Sequence, residues 1–340
     1  MRNHEVTTVQ PLLDAQGELR EPGWSRGLVQ KYSRAAIKAP KFRIKEWDYY
    51  LVTGKDFAVA FTISDDGYIG LQSVSLLWLG DEPWEHTETV LNAFPMGKLR
   101  LPEDSSYGTT KYNDKRLQMS FEAKYRMRHI KCHFENFMDE KPLEAEIVLE
   151  QPPMDTMVIA TPWPEKHAFY YNQKINCMRA SGWVKFDGKK YEFDPKTDFG
   201  TLDWGRGVWT YDNTWFWGSG NADVDGNSFG WNIGYGFGDT SAASENILFW
   251  NGRAHKLDDI TFNIPDSGYM DRWTFTSSDG RFEMEFEPVL DRAACLDYKV
   301  IVSDQHQVFG KMSGKAVLDD GTEVNIKDVL CFAEKVHNRY

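Results

Sequence analysis

The chain has 340 residues, a formal net charge of -12 and 14% aromatic residues, 13 of them tryptophans. Disordered chains are poor in aromatics, and nucleic-acid-binding proteins need a basic surface, so this composition excludes both classes. The first residues lack the apolar core of a signal peptide, and no later run reaches the roughly 20 apolar residues of a membrane span. We therefore expect a cytoplasmic protein with no transmembrane segment.

Six Asp-Gly or Asn-Gly pairs lie between stretches that alternate apolar and polar residues. Such pairs are typical of two-residue hairpin turns, which need positive φ at both central positions. The pairs are Asp66-Gly67, Asp187-Gly188, Asp225-Gly226, Asn251-Gly252, Asp279-Gly280 and Asp320-Gly321. In one of the flanking stretches, Phe282, Met284 and Phe286 alternate with glutamates, the period of a strand with one solvated face. The pattern predicts an antiparallel meander.

Helical periodicity is weak, with room for a turn or two in residues 25–38 and 325–340. Long meanders usually avoid exposed edges by closing into barrels, so we predict an all-β protein with two consecutive antiparallel β-barrels and few short helices. The density of tryptophan and glycine falls after Trp250. We therefore predict a first barrel in residues 1–250 and a second, smaller barrel in residues 251–340.

The segment DWGRGVWTYDNTWFWGSGN, residues 203–221, combines four tryptophans with polar groups and glycines. Trp215, Trp217, Ser219 and Asn221 share one face of the predicted strand, because side chains two residues apart point the same way. Small-molecule pockets combine apolar walls with a few polar groups, so this face is a candidate substrate site. A packed core in which the indole N–H groups meet Ser and Asn is the alternative.

The following strand, GWNIGYGFGDTS, places four glycines and Asn232 on one face and four large apolar residues, among them Tyr235, on the other. Strand glycines mark the close approach of a ligand, a neighbouring aromatic ring or a sharp bend, and all three remain open here. Asn232, Tyr235 and Trp204 complete the predicted substrate-binding set.

Several ionisable groups near these strands are candidates for catalysis. A carboxyl among tryptophans loses hydration, so its pKa rises and it can remain protonated as a general acid. Asp203 is our first candidate, with Arg206 and Tyr211 positioning it or the substrate; a salt bridge with Arg206 that keeps Asp203 ionised is the alternative. In the acid hypothesis, the faces of Trp215 and Trp217 stabilise a substrate cation. The further catalytic candidates are Asp239, Glu245 and His306.

The sequence predicts neither a metal nor a cofactor. His129, Cys132 and His133 have a spacing that suits zinc on a helix, but on a strand Cys132 points away from the two histidines. The glycine-rich strand is not a phosphate loop, because no helix start and no Lys-Ser/Thr follow it.

Several long segments carry a family resemblance: YYNQKINCMRASGWV, DWGRGVWTYDNTWFWGSG, GYGFGDTSAASENILFWNGRAHKLDDITFNIP, SSDGRFEMEFEPVLDR and SDQHQVFGKMSGKAVLDDGTEV. From about Pro22 to the last residue, the chain resembles the bacterial family called domain of unknown function 2804. Asp203-Trp204-Gly205 and the later Trp-x-Trp-x-Ser-x-Asn are similar to the pattern of tocopherol cyclases and, more faintly, to carotenoid 1,2-hydratases and AttH-like proteins. The resemblance implies tandem lipocalin-like, calycin-type barrels. The cyclases and hydratases imply acid-catalysed addition to an isoprenoid double bond, although Asp203 and Ser219 replace the usual asparagine and glutamine.

These observations lead to a hypothesis about function. The protein is a cofactor-independent hydratase, dehydratase or cyclase that acts by acid catalysis on a hydrophobic, isoprenoid-like small molecule in an aromatic-lined barrel. The alternative is a non-catalytic binder of lipids or hydrophobic metabolites, because a barrel of this kind binds with its walls alone. A glycan binder would need exposed aromatics, whereas these alternate within buried-looking strands. The oligomeric state is not specified.

Overall fold

The structure, a computed structural model, describes residues 2–297 and 302–339. It is nearly all β, with two 3-10 helices at Arg34–Ala36 and Lys41–Arg43. The strands up to residue 208 are β1 (Gln10–Pro11), β2 (Gly23–Ser25), β3 (Gln30–Lys31), β4 (Ile44–Thr53), β5 (Phe57–Asp65), β6 (Ile69–Trp78), β7 (Trp84–Ala93), β8 (Tyr107–Asn113), β9 (Leu117–Lys124), β10 (Met127–Met138), β11 (Lys141–Glu150), β12 (Met157–Pro162), β13 (Phe169–Phe186), β14 (Lys189–Phe193) and β15 (Phe199–Val208). The strands that follow are β16 (Asp212–Val224), β17 (Asn227–Tyr235), β18 (Ile247–Trp250), β19 (Arg253–Lys256), β20 (Ile260–Asn263), β21 (Trp273–Ser277), β22 (Phe282–Asp297), β23 (Val302–Val317) and β24 (Glu323–Arg339).

The strands form two curled antiparallel sheets, each a half-barrel. The first sheet has the strand order β7-β6-β5-β4-β15-β13-β11-β10-β9-β8, with β12 and β14 also paired to β13 and β2 paired to β12. The second has the order β19-β18-β17-β16-β24-β23-β22-β21-β20. The short strands β1 and β3 pair separately and in parallel. The predicted all-β fold of two consecutive antiparallel barrels is confirmed, and each barrel is a curled half-barrel sheet.

Each of the six predicted turn pairs connects two consecutive strands. At Asp225-Gly226 both residues have positive φ, 51° and 81°, as a type I′ turn requires. Asp187-Gly188 and Asn251-Gly252 share this conformation. The turn chemistry of the sequence therefore determines where the meander reverses.

The chain passes from the first sheet to the second between β15 and β16. The domain boundary predicted after Trp250 stays a prediction. The change from one sheet to the other occurs earlier in the chain, before Asp212. The segment considered for a helical turn at the C-terminus is the strand β24, which pairs with both β16 and β23. Its residues 331–334 are all buried, because a central strand covered on both faces is buried continuously instead of at every second residue.

Buried side chains form three apolar cores. One fills the concave side of the first sheet and contains Phe121 and Trp204. Another fills the second sheet and contains Trp231 and Trp273. The third lies between the sheets, where Tyr170 of the first sheet meets side chains of the second. Strands β4, β13 and β15 therefore cover one core with one face and the inter-sheet core with the other.

Across the described parts of the chain, no helix combines the length and the apolar character that crossing a bilayer requires.

Candidate functional site between the two sheets

A buried ion pair lies where the two sheets meet. Lys174 on β13 and Asp203 on β15 are register partners, and Lys174 Nζ lies 2.9 Å from Asp203 Oδ2. Asn172 Nδ2 donates a hydrogen bond of 2.6 Å to the other oxygen, Asp203 Oδ1. The Lys174 ammonium also lies 3.8 Å from the ring centroid of Trp217, a residue of β16 in the second sheet. The ammonium therefore joins both sheets.

A second buried carboxyl, Glu245, lies beside this pair in the segment between β17 and β18. Asn232 Nδ2 donates a hydrogen bond of 3.0 Å to the Glu245 backbone carbonyl, and Tyr170 Oη donates one of 3.4 Å to Glu245 Oε2. Among the described residues, Glu245 Oε1 has no hydrogen-bond partner. Burial raises the pKa of Glu245 to about 7, with the charge of Lys174 opposing the increase and that of Asp203 adding to it. Near neutral pH, this carboxyl can both give and accept a proton.

A third carboxyl, Glu334 on β24, is held on the second-sheet side. It accepts hydrogen bonds of 3.0 Å from Trp215 Nε1 and 2.7 Å from Gln307 Nε2. Burial raises the pKa of Glu334, while these two hydrogen bonds and the charges of Arg292 and Lys174 oppose the increase. We call Tyr170, Lys174, Asp203, Glu245 and Glu334 the inter-sheet cluster.

Four half-buried tryptophans adjoin the inter-sheet cluster. We call these residues, Trp47, Trp163, Trp209 and Trp215, the aromatic rim. Trp209 contacts three of its neighbours, with ring centroids 5.5 Å from Trp47, 5.8 Å from Trp163 and 5.5 Å from Trp215. Tyr170 of the cluster packs between Trp47 and Phe237, at 6.5 and 4.9 Å. The aromatic rim thus connects the buried carboxyls to the surface through apolar side chains.

Comparison with protein families gives one match, to the family described as Domain of unknown function (DUF2804), over residues 3–340. The chain belongs to this family. No curated protein matches it.

Two solved structures are similar to the DUF2804 chain. Kievitone hydratase from Nectria haematococca has a TM-score of 0.51 and 12% sequence identity, with coverage of 87% of this chain and 88% of that one. A protein described as an AttH from Nitrosomonas europaea has a TM-score of 0.50 and 12% identity, with coverage of 91% and 96%. At such identities the likeness shows the fold, which is one that a hydratase has.

Within this DUF2804 chain, Trp215, Trp217 and Asn232 of the predicted substrate set lie at the inter-sheet cluster. Trp217 Nε1 donates a hydrogen bond of 2.7 Å to Asn232 Oδ1. One face of the Trp217 ring holds the Lys174 ammonium, and the ring also packs edge to face with Tyr49 at 6.0 Å. The Trp217 face proposed for a substrate cation therefore holds a cation of the protein itself.

Ser219 and Asn221 continue the same strand face but hydrogen-bond to the first sheet. Asn176 Nδ2 donates to Ser219 Oγ at 2.8 Å, and the backbone N–H of Cys177 donates to Asn221 Oδ1 at 2.8 Å. These contacts hold a bulge in β13, where Cys177 has a positive φ of 57°. Both side chains thus hydrogen-bond across the two sheets, as expected for the alternative of a packed core.

Arg206 and Trp204 lie on the opposite face of β15 from Asp203. Arg206 Nη2 makes an ion pair of 2.9 Å with Asp48, and its guanidinium lies over the Trp204 ring at 4.1 Å. Residues an odd number of positions apart on a strand face opposite sides, so a salt bridge between Asp203 and Arg206 does not form. Asp203 pairs instead with Lys174.

The other predicted residues lie away from the cluster. Tyr211 is 54% exposed, and Asp239 is exposed in a turn where Oδ1 accepts the backbone N–H of Ser241. His306 is on the face of β23 opposite Gln307, where Nδ1 lies 2.6 Å from Asp291 Oδ2 and the ring stacks on Tyr269. The remaining residue, Tyr235, stacks on Phe216 in the core of the second sheet.

The sequence prediction missed Lys174, Tyr170 and Glu334, although a signal for the first two was present. In the segment YYNQK, Tyr170, Asn172 and Lys174 alternate along a strand and share a face. The sequence left open which face this was, because the strand register that pairs Lys174 with Asp203 is a non-local property.

An open groove of about 500 Å³ lies on the solvent side of strands β8 to β11, lined among others by Lys111, His133 and Trp183. It contains no residue of the inter-sheet cluster. His133 in this groove contacts Glu135 and Glu144. No group of three or more His, Cys, Asp or Glu residues suited to a metal ion occurs in the parts of the chain that the structure describes.

Proposed function

We propose that the protein is a cofactor-independent hydratase, dehydratase or cyclase that acts on a hydrophobic small molecule at the inter-sheet cluster. Glu245 carries this proposal, because its carboxyl is buried, has a pKa of about 7 and has one oxygen without a hydrogen-bond partner among the described residues. Such a group is equipped for proton transfer near neutral pH. The fold shared with a hydratase structure supports the proposal as an analogy.

Glu245 is the proton donor in this proposal. In a hydration, its carboxyl gives a proton to one carbon of a double bond, and a water oxygen bonds to the other carbon. The proton that the water loses returns to the Glu245 carboxylate. Dehydration runs these steps backwards, and in a cyclisation a hydroxyl of the substrate takes the place of water.

For Asp203 we propose a different role from the general-acid role predicted from the sequence. Both of its oxygens already have protein partners, Lys174 Nζ and Asn172 Nδ2. The pair instead places a positive and a negative charge beside Glu245. We therefore propose that Lys174 and Asp203 position the substrate and set the proton affinity of Glu245.

The aromatic rim favours the binding of an apolar substrate. A polar substrate would have to give up its hydration against Trp47, Trp163, Trp209 and Trp215, whereas an apolar ring or chain gains by burial there. The buried indole N–H groups of Trp163 and Trp209 have no hydrogen-bond partner among the described residues. A hydroxyl or carbonyl on an otherwise apolar molecule would pair with them.

Untargeted mass spectrometry tests the proposal. Purified wild type, Glu245→Gln and the control Glu122→Gln, which changes an exposed glutamate on β9, are incubated with an apolar cell extract. Wild type and control should convert a compound into a product that differs by one water or is an isomer. Glu245→Gln should slow this conversion by about 10² to 10⁴, the usual loss for a missing general acid.

Two results would contradict the proposal. Conversion by Glu245→Gln within a few-fold of wild type would remove Glu245 from the chemistry. A compound that copurifies with wild type and Glu245→Gln alike, without conversion by either, would support the non-catalytic binder.

A further inference from the structure

A buried cation lies inside the first half-barrel, away from the inter-sheet cluster. Arg128 on β10 is 1% exposed, and it shares the inward face of that strand with Ile130, Cys132 and Phe134. Its register partners are Ala123 on β9 and Leu149 on β11. The guanidinium therefore projects from a strand whose inward neighbours are apolar.

Arg128 differs from the other cations buried nearby. Arg206 has the Asp48 carboxylate and three backbone carbonyls, and Lys174 has Asp203. Arg128 Nε and Nη1, by contrast, have no hydrogen-bond partner in residues 2–297 and 302–339, and no described carboxylate forms an ion pair with it. A buried charge with no opposite charge beside it is destabilising, so an anion bound next to this guanidinium would be stabilised.

Three buried acids on the inward faces of β4 and β5 have hydrogen-bond partners other than Arg128. Asp48 Oδ1 accepts from Arg206, and Asp48 Oδ2 accepts from Thr110. Glu46 accepts from Tyr32 and Arg34 in the same way. Asp65 on β5 accepts the backbone N–H groups of Gly67 and Gly97. None of these three carboxylates therefore forms an ion pair with Arg128.

A hydroxyl and an aromatic wall adjoin the guanidinium. Tyr50 is 2% exposed, and its ring packs edge to face with Phe121 at 4.9 Å. Its hydroxyl is close enough to the Arg128 guanidinium for a side-chain hydrogen bond. A guanidinium together with a phenol hydroxyl is a donor set for an oxygen anion.

We propose that the interior of the first half-barrel binds an oxyanion through Arg128 and Tyr50. The shared chemistry is that of a carboxylate on an apolar molecule and of a free inorganic oxyanion such as phosphate. The apolar lining around Arg128, with Ile130 and Phe121, favours the carboxylate with an apolar chain. This site lies on the opposite face of the first sheet from Glu245, so the two sites can be tested separately.

Thermal unfolding in chloride buffer of constant ionic strength tests this site, with sodium octanoate and sodium phosphate as the two probes. The proteins are wild type, Arg128→Met, Tyr50→Phe and the control Lys131→Met, which changes an exposed cation on the outer face of the same strand. A ligand that binds only the folded state raises Tm as its concentration increases. The rise should occur in wild type and Lys131→Met and be absent in Arg128→Met.

The probes and variants separate the outcomes. A rise with octanoate alone assigns the site to carboxylates with an apolar chain, and a rise with both probes assigns it to oxyanions in general. Tyr50→Phe should weaken the apparent Kd about five-fold, the effect of one hydrogen bond. Unchanged Tm of wild type with both probes, or an equal rise in Arg128→Met, would overturn the proposal. Failure of Arg128→Met to fold in chloride would also overturn it, because a guanidinium needed for folding has a partner within the chain.

Discussion

Replacement of Glu245 by glutamine should change how stability depends on pH. The pKa of Glu245 is raised from 4.5 to about 7, so the folded state holds this proton more tightly than the unfolded chain does. The wild type therefore loses stability as the pH rises from 4.5 to 7, because the unfolded chain releases the proton in this range while the folded protein keeps it. At about 1.4 kcal/mol for each pH unit, the difference amounts to about 3 kcal/mol.

Urea denaturation between pH 4.5 and pH 8 measures this effect. The glutamine of the variant cannot ionise but can still accept the hydrogen bond from Tyr170, so the variant lacks the pH-dependent loss. The free energy of unfolding of Glu245→Gln minus that of wild type should grow by about 3 kcal/mol across this range. Glu122→Gln should follow the wild type throughout. If the difference in unfolding free energy between Glu245→Gln and wild type changes by less than about 1 kcal/mol from pH 4.5 to pH 8, Glu245 ionises as readily in the folded protein as in the unfolded chain.

Three further substitutions test the inter-sheet cluster. Lys174→Met leaves the Asp203 carboxylate without its ion-pair partner, and urea denaturation should give a loss of about 3 to 5 kcal/mol; a loss under about 1 kcal/mol would mean that the ion pair is not formed. Asp203→Asn removes a negative charge beside Glu245 and so lowers the folded-state pKa of Glu245. The decline in stability, which ends near pH 7 in the wild type, should therefore end at a lower pH in this variant, and an end at a higher pH would contradict the assigned geometry. Trp217→Phe removes the N–H donated to Asn232, which should lower the free energy of unfolding by about 1 to 3 kcal/mol and so lower Tm. A Tm unchanged from wild type would contradict this.

The sequence predicted the fold well because its signals were local. Asp-Gly and Asn-Gly pairs act over four residues, and alternation acts over a single strand, so both can be recognised without knowing the partners. The alternation of Phe282, Met284 and Phe286 is confirmed, since all three are buried while Glu285 between them is exposed.

The site was less accessible from the sequence because it depends on which strands pair. Asp203 and Glu245 were both named as candidate acids, but their difference comes from Lys174, which reaches Asp203 only through the register of β13 with β15. Grouping Asp203 with Arg206 by closeness in sequence neglected the period of two that separates them on a strand. The meeting of the two sheets at Trp217 is likewise a tertiary feature.

The position of β24 has a consequence for how the protein folds during synthesis. Strand β16 pairs with β24, and the 98 residues from 225 to 322 separate them along the chain. Until this stretch and β24 have been synthesised, the edge of β16 that pairs with β24 stays unpaired and is open to non-native pairing and aggregation. Closing so long a loop is slow, whereas the hairpin of β16 and β17 can form early. Pulsed hydrogen exchange during refolding should therefore protect the β16 amides that face β17 before those that face β24; simultaneous protection would mean that the second sheet forms in one step.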